Sequence, residues 1–323
     1  MKTTLLFLSV FLSASFFGQN VYIPDVNFKA YLVGNSLINT NSDTEIQVSE
    51  ASVFVGMINC SSQNISDLTG IEAFTALTEL YCINNQLTIL DVSQNTSLTS
   101  LYCNGNLITS LDLSSNTVLY NLDCRTNQIT SLDVSQNTAL TSLFCDNNQI
   151  TSLDVSQNTA LTLLFCDNNQ LSILDLSENT LLDWLNCSDN QLMSLDLSEN
   201  TALTGLQCDG NQLSCLNIAN GNNLFFSIAD CYIGNNPNLT CIEVDDANYS
   251  SEYWNDYIDP QASFSEDCNN DCSNTSSLTE LNSNKNLIQI LDMMGRETSF
   301  KPNTPLIYVY DDGSIEKVFS VEY

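Results

Sequence analysis

The feature that most constrains the fold of this chain is a run of near-identical segments, each 21 residues long. Residues 140–160 read LTSLFCDNNQITSLDVSQNTA, and residues 161–181 read LTLLFCDNNQLSILDLSENTL. The same frame begins at seven leucines spaced 21 residues apart, which are Leu77, Leu98, Leu119, Leu140, Leu161, Leu182 and Leu203. A recurrence at a fixed short period predicts a solenoid, in which one supersecondary unit stacks on copies of itself.

The repeated unit reads L-x-x-L-x-C-x-x-N-x-[LI]-x-x-L-D-[VL]-x-x-N-x-x. Its cysteines are Cys60, Cys82, Cys103, Cys124, Cys145, Cys166, Cys187 and Cys208. Over residues 51–245 the pattern resembles the short, cysteine-bearing leucine-rich repeats of bacteria. The resemblance implies a mainly β or α+β repeat fold, a leucine-rich repeat solenoid of about eight coils at residues 57–223 with a cap at each end.

Alternation along the predicted strands assigns an inside and an outside to every repeat. In the frame that begins at residue 140 we expect Leu140, Leu143 and Cys145 to point inward. Two asparagine columns, led by Asn85 and Asn95, are expected to bond the backbone where each coil bends. The cysteines recur once per coil rather than converging, which favours inert buried thiols over a metal site or disulfides between coils.

The outward positions hold any information for binding. The predicted ligand-binding residues are Tyr81, Tyr102, Arg125, Phe144, Leu163, Phe165 and Trp184. Exposed aromatic side chains with a polar rim are typical of a partner surface. The alternative is that these rings only stack on their neighbours in adjacent strands and so stabilise the sheet.

The N-terminal residues do not fit the repeat. Residues 1–19 combine Lys2 with an apolar run and then small or polar residues, which predicts a secretory signal peptide. Residues 20–56 are predicted to form a helical cap with helices at 27–36 and 48–54. The loop between these helices resembles the calcium loop of an EF-hand, with candidate ligands Asn39, Asn41, Asp43, Glu45 and Glu50. The alternative is a polar loop whose Asn and Ser side chains cap the second helix.

The repeat becomes indistinct after Asn217, and residues 224–268 are predicted to form a C-terminal cap. Cys241 and Cys268 bracket part of this cap, and in an exported protein they are a candidate disulfide. Residues 269–286 are rich in Ser and Asn and are predicted to be a linker. Residues 287–323 predict a small β module, with strands at 287–291, 306–310 and 317–321 and a hairpin turn at 312–313. DMMGRE, the tyrosine strand at 307–310 and the final EKVFSV resemble the sorting domain of the type IX secretion system of Bacteroidetes, and the whole layout resembles exported flavobacterial leucine-rich repeat proteins.

Composition limits the possible functions. The formal net charge is −31, with 7 Lys plus Arg against 38 Asp plus Glu, so the chain lacks the basic surface of a nucleic-acid binder. It contains no histidine, which removes Ser-His-Asp and Cys-His catalytic sites and the usual general base. We therefore expect a non-enzymatic protein, secreted or on the outer-membrane surface, without a transmembrane segment. It would need no cofactor beyond a possible structural calcium ion, and its tail would engage the secretion machinery.

Two functions remain open at this point. The first is binding of a protein or a glycan at the cell surface through the exposed strand face. The second is a structural spacer or matrix role without a specific ligand, which the near-identity of the coils favours because a dedicated site usually needs coils that differ.

Overall fold

Each repeat folds into one coil, and the strands of successive coils lie side by side in a parallel sheet, here called the main sheet. The computed structural model describes residues 18–223, 231–269, 272, 287–292, 305–310 and 315–319. The main sheet consists of β1 (Gly56–Asn59), β2 (Leu77–Tyr81), β3 (Ser100–Tyr102), β4 (Asn121–Asp123), β5 (Ser142–Phe144), β6 (Leu163–Phe165), β7 (Trp184–Asn186), β9 (Gly205–Gln207) and β11 (Cys231–Tyr232). The predicted repeat solenoid is confirmed, with nine strands in this sheet rather than the about eight coils expected.

The return halves of the coils at the C-terminal end form a second parallel sheet, which the sequence did not predict. Its four strands are β8 (Ser194–Asp196), β10 (Cys215–Asn217), β12 (Cys241–Glu243) and β13 (Ser263–Ser265). The last coils are therefore closed by strands on both sides. Asn236 continues the first asparagine column here, and Cys231 stands opposite Leu206. The repeat thus continues in the structure beyond Asn217, although the sequence pattern is no longer clear there.

The interior follows the predicted alternation. Leu140, Leu143 and Cys145 are completely buried, and so are their equivalents in the coils on either side. Leu143 lies opposite Leu122 and Leu164 in the parallel register, so the leucines form a continuous column through the solenoid. Burial of aliphatic side chains is the main favourable term in folding, and here it acts between neighbouring coils.

The two asparagine columns fasten the bends of adjacent coils. Asn148 Nδ2 donates to the carbonyl oxygens of Cys124 and Cys145, both at 3.1 Å, and its Oδ1 accepts from the backbone N–H of Ile129 at 3.0 Å. In the second column, Asn158 Nδ2 donates to two carbonyls of the preceding coils, whereas its buried Oδ1 has no partner among the described residues. Only the first column therefore joins coils through both ends of its amide.

The N-terminal cap comprises α1 (Val26–Gly34) and the short α2 (Val48–Ala51). Asp25 caps α1 by accepting hydrogen bonds from two backbone N–H groups in its first turn. Phe28 and Leu32 of α1 are fully buried, and they shield the first coil from solvent. The second helix ends earlier than the predicted 48–54, because the chain reaches Gly56 at φ +124 and enters β1 there.

A further helix, α3 (Ala247–Tyr253), and two 3-10 turns, Ile71–Ala73 and Asn255–Tyr257, complete the first unit of the chain, Met1–Asn274. Trp254 follows α3, is completely buried and meets Phe264 edge to face. The aromatic run of the predicted C-terminal cap thus supplies buried rings behind the last coil.

The second unit, Thr275–Tyr323, contains an antiparallel sheet of β14 (Leu287–Asp292), β15 (Pro305–Tyr310) and β16 (Ile315–Phe319). These strands overlap the three strand-like segments expected from the sequence. Several predicted segments lie outside the described residues. These are the signal peptide up to residue 17, the linker apart from residues 269 and 272, most of the DMMGRE element, and the hairpin turn at 312–313.

One position per coil, directly before the first asparagine column, adopts left-handed backbone geometry. Asn147, Asn168 and Gly210 have φ between +52 and +68, and Thr126 has φ +54. A β-branched residue is strained in this region, whereas Asn and Gly tolerate it. We expect Thr126→Asn to raise the free energy of unfolding by about 1 kcal/mol, measured by urea denaturation. The reverse change, Asn147→Thr, should lower it by a similar amount, and equal stability of all three proteins would contradict this account.

Candidate functional site

The outward residues that flank the central leucine of each main-sheet strand form a continuous surface, here called the strand face. The residue after the leucine is Tyr81, Tyr102, Asp123, Phe144, Phe165, Asn186 and Gln207 in successive strands. Register places each of these residues directly opposite the next, for example Phe144 opposite Phe165. The predicted aromatic residues therefore lie outside and the cysteines inside, as the repeat pattern requires.

The N-terminal part of the strand face carries a stacked tyrosine pair. The rings of Tyr81 and Tyr102 are 4.5 Å apart with an angle of 14° between their planes. The Tyr81 hydroxyl donates to Glu79 Oε2 at 3.3 Å. Burial raises the pKa of Tyr81 to about 12, and the neighbouring Tyr102 and Glu79 add to the shift. The Tyr81 hydroxyl therefore remains a hydrogen-bond donor to a higher pH than an ordinary tyrosine hydroxyl.

A charged pair separates the tyrosines from the next aromatic group. Asp123 is only 2 % exposed and receives hydrogen bonds from Arg125 Nε at 3.0 and 3.1 Å and from Nη2 at 2.8 Å. The guanidinium carbon of Arg125 lies 5.1 Å from the centre of the Phe144 ring. Arg125 is thus fixed by a bidentate salt bridge and a cation–π contact together.

Four apolar side chains, Phe144, Leu163, Phe165 and Trp184, form the aromatic platform on β5, β6 and β7. The rings of Phe144 and Phe165 are stacked 5.1 Å apart, and Leu163 lies opposite Trp184. The Trp184 ring covers Gly205, where an added Cβ would come within 2.6 Å of Trp184 Cε3. Trp184 Nε1 is buried and has no hydrogen-bond partner among the described residues. The platform side chains are half-buried, so ring stacking between coils and access from solvent occur together.

The predicted calcium loop is held by its own hydrogen bonds. Glu50 Oε1 accepts from Thr40 N and Oγ1, both at 2.8 Å, and from Asn41 N, while Oε2 accepts from Gln47 N. Burial alone would raise the pKa of Glu50, but these donors hold it below its ordinary value. The last carboxylate of the loop therefore caps α2 by accepting from the N-cap residue Gln47, whereas the alternative interpretation expected asparagine and serine to form this cap.

The other candidate ligands of this loop also have protein partners. Asp43 Oδ2 accepts from Asn41 and Gln47, and Glu45 pairs with Lys29 at 2.6 Å. Asn39 Nδ2 donates to two backbone carbonyls, whereas its buried Oδ1 has no partner in the described part of the chain. Within the described ranges, no three His, Cys, Asp or Glu side chains converge as metal ligands. Calcium binding by this loop stays a prediction.

The cysteines fall into two chemical classes. Nine are free and buried, namely Cys60, Cys82, Cys103, Cys124, Cys145, Cys166, Cys187, Cys208 and Cys231. Burial raises the pKa of the Cys60 and Cys231 thiols to about 12, and that of Cys145 well above its ordinary value. The thiolate is the reactive form, so these groups are inert packing residues.

Two disulfides lie at the C-terminal end of the solenoid. Cys241 is bonded to Cys268, the pair suggested by the sequence, at a sequence separation of 27. Cys215 is bonded to Cys272, a pairing that the sequence did not assign. Each bridge starts from a strand of the second sheet and fastens a later segment to it.

The opposite side of the coils carries a row of aspartates rather than aromatic rings. Asp154 Oδ1 accepts from the backbone N–H of Ser156 at 2.9 Å, and the same bond recurs along the row. These bonds lower the pKa of Asp154, so the carboxylate is stable in its charged form. On this side of the first coils, an open cavity of about 600 Å³ is lined by residues 66–69, 71–72, 88–91 and 93–94. The aspartates of this row therefore stabilise the turns by accepting backbone hydrogen bonds.

Comparison with known proteins supports the fold. No protein-family model matches the chain. The crystal structure of internalin C2 from Listeria monocytogenes is 22 % identical, covers 70 % of this chain and 97 % of that one, and has a TM-score of 0.57. The fold is a leucine-rich repeat solenoid.

Two further similarities concern internalin J, also from Listeria monocytogenes. A segment of 77 residues is 35 % identical to it, which is 24 % of this chain and only 8 % of that protein's length. The structure of its functional domain, described as including a cysteine ladder, is 32 % identical with a TM-score of 0.41 and covers 71 % of this chain and 58 % of that one. Within the described residues of this leucine-rich repeat chain, no helix is long and apolar enough to cross a membrane.

Proposed function

We propose that this leucine-rich repeat protein acts outside the cytoplasm, secreted or displayed on the cell surface, as a non-enzymatic binder of another protein. The aromatic platform is the observation that carries the proposal. It joins two stacked phenylalanines, a leucine and a tryptophan on one rigid sheet. Aromatic anchors of this kind dominate the energetics of protein interfaces.

Several features support a protein partner at this surface. Similarity to internalins, whose fold the chain shares, supports a binding scaffold. The coils are not equivalent at the strand face, because tyrosines, a salt bridge, the platform and then amides follow one another along it. A spacer without a ligand has no need for such a succession. Export through the type IX machinery by the C-terminal tail, and glycan rather than protein recognition, are finer alternatives within the same proposal.

The proposal is tested with the purified protein on arrays of extracellular proteins and of glycans. We expect capture of one or a few proteins, and at least about tenfold weaker capture by the double variant Phe165→Ala/Trp184→Ala. The matched control is Ile173→Ala/Leu181→Ala, which removes exposed apolar groups, 50 % and 55 % accessible, away from the strand face. Thermal melts establish that both variants are folded. No captured ligand on either array would favour the spacer, and equal losses in both variants would remove the platform from the interface.

A further inference from the structure

The strand face carries a strong charge imbalance beside the aromatic platform. From Cys124 to Cys208, the residue directly after the cysteine is Arg125, Asp146, Asp167, Ser188 and Asp209 in successive coils. Adjacent strands of a sheet lie about 5 Å apart, so Asp146 and Asp167 are close neighbours on the same face. Both follow a platform phenylalanine by two residues and therefore lie along its edge.

The chain itself shows how a cation is held on this surface. Arg125 places its guanidinium 5.1 Å from the Phe144 ring and pairs with the buried Asp123. The contact combines a ring face, a carboxylate and a planar cation. Arginine suits this combination because its flat guanidinium stacks on the ring while its N–H groups face the carboxylate.

The next coil supplies the ring and the carboxylates but no cation. Phe165 takes the place of Phe144, and Asp167 takes the column position that Arg125 occupies two coils earlier. The described residues contain two ion pairs, Lys29–Glu45 and Arg125–Asp123, and neither includes Asp146 or Asp167.

The two carboxylates are poorly compensated by the protein. Asp146 is 7 % exposed, and its Oδ1 is buried with no hydrogen-bond partner among the described residues. Its Oδ2 accepts from Asn147 Nδ2, and Asp167 Oδ2 accepts from Asn168 Nδ2, both at 2.8 Å. A buried charge without a counterion lowers stability unless a partner neutralises it.

The electrostatics agree with this description. Burial raises the pKa of both Asp146 and Asp167; Arg125 partly offsets the rise for Asp146, whereas Asp146 adds to it for Asp167. A carboxyl with a raised folded-state pKa opposes folding once the pH rises above its ordinary value, where the group ionises. When ionised, Asp146 and Asp167 therefore place two unfavourable charges beside the aromatic platform.

We propose that Phe165, Asp167 and Asp146 form a subsite for an arginine side chain presented by the protein partner. The guanidinium stacks on the face of the Phe165 ring that Phe144 does not cover, and it pairs with the half-buried Asp167. Asp146 lies deeper and adds its negative potential, which acts strongly at a partly desolvated site. This inference rests on the proposed function and specifies the chemistry of the partner: a basic residue at the centre of an otherwise apolar contact.

The test uses acetyl-Gly-Arg-Gly-amide and its citrulline counterpart, which is nearly the same shape but uncharged. Each is titrated into the isotopically labelled protein, and backbone amide shifts of residues 163–168 are followed by NMR. We expect saturable shifts with the arginine peptide and at least about tenfold weaker binding of the citrulline peptide. Equal binding of the two peptides, or no shifts at all, would overturn the subsite.

A charge-matched pair of variants separates the subsite from the general negative charge. Asp146→Asn/Asp167→Asn and Asp154→Asn/Asp175→Asn remove the same charge from two sides of the same coils. The first should weaken the arginine peptide about tenfold and the second less than about twofold. Equal weakening would mean diffuse attraction only and would contradict the proposal. If Asp146→Asn/Asp167→Asn leaves array capture intact while Phe165→Ala/Trp184→Ala abolishes it, the subsite fails and the binding function stands.

Discussion

Replacing Leu164 with alanine is expected to lower the free energy of unfolding by about 3 to 4 kcal/mol. Leu164 is completely buried and lies between Leu143 and Leu185 in the leucine column of the main sheet. The loss combines the transfer energy of the removed methyl groups with a cavity that rigid neighbouring coils cannot close. Because each coil contacts only its neighbours, the damage divides the solenoid into two shorter stacks.

Urea denaturation followed by far-UV circular dichroism measures this effect. Leu181→Ala is the matched control, since Leu181 is 55 % exposed and the same atoms are removed from the surface. Its free energy of unfolding should change by less than about 0.5 kcal/mol. Repeat arrays can lose cooperativity, so a second transition in Leu164→Ala would also fit. Equal stability of the two variants would contradict the stacked interior.

The interior could be predicted from the sequence because the same chemical requirement is met at a fixed interval. Strand alternation assigned Leu143 and Cys145 to the core, and both are fully buried. Near-identity of the repeats makes such predictions reliable, because an error in one coil would recur in all.

Features that depend on contacts between unlike segments could not be predicted in this way. The Cys215–Cys272 disulfide joins residues 57 apart, and pairing among unassigned cysteines is not written in their spacing. The first strand of the second sheet begins at Ser194, although the return halves of earlier coils have almost the same sequence and form no named strand. The 21-residue spacing places Trp184 opposite Gly205, but it does not show that the indole ring lies over the glycine and occupies the space of a Cβ atom.

The subsite carboxylates illustrate a subtler limit. Asp146 and Asp167 directly follow the cysteines of two adjacent coils. Their residue type alone does not distinguish them from the aspartates that accept hydrogen bonds in the turns. Neither carboxylate has an ion-pair partner among the described residues, because Arg125 pairs with Asp123, and this is a property of the folded chain. Arg125 is the one arginine in that column, and in the folded chain it lies 5.1 Å from the centre of the Phe144 ring. Its presence in the column was the one sequence signal for a cation at this position.

Replacing Asn169 with alanine is expected to lower the free energy of unfolding by about 3 kcal/mol. Asn169 Nδ2 donates to the carbonyls of Cys145 and Cys166 at 3.0 and 3.1 Å, and Oδ1 accepts from Ile150 N at 2.9 Å. Alanine leaves these three buried backbone groups without that partner, and water cannot replace it in a closed interior.

A comparison within the same coils tests whether the two asparagine columns differ as their contacts indicate. Asn179→Ala, in the second column, removes two donated bonds but no accepted one, since Asn179 Oδ1 has no partner among the described residues. It should therefore cost less than Asn169→Ala, by about 1 kcal/mol, and the exposed Gln170→Ala should cost almost nothing. The three variants are compared in one series of urea titrations. A larger loss of stability in Asn179→Ala than in Asn169→Ala would contradict this account. The hydrogen bond that Asn169 accepts from Ile150 would then not be what makes the first column more stabilising.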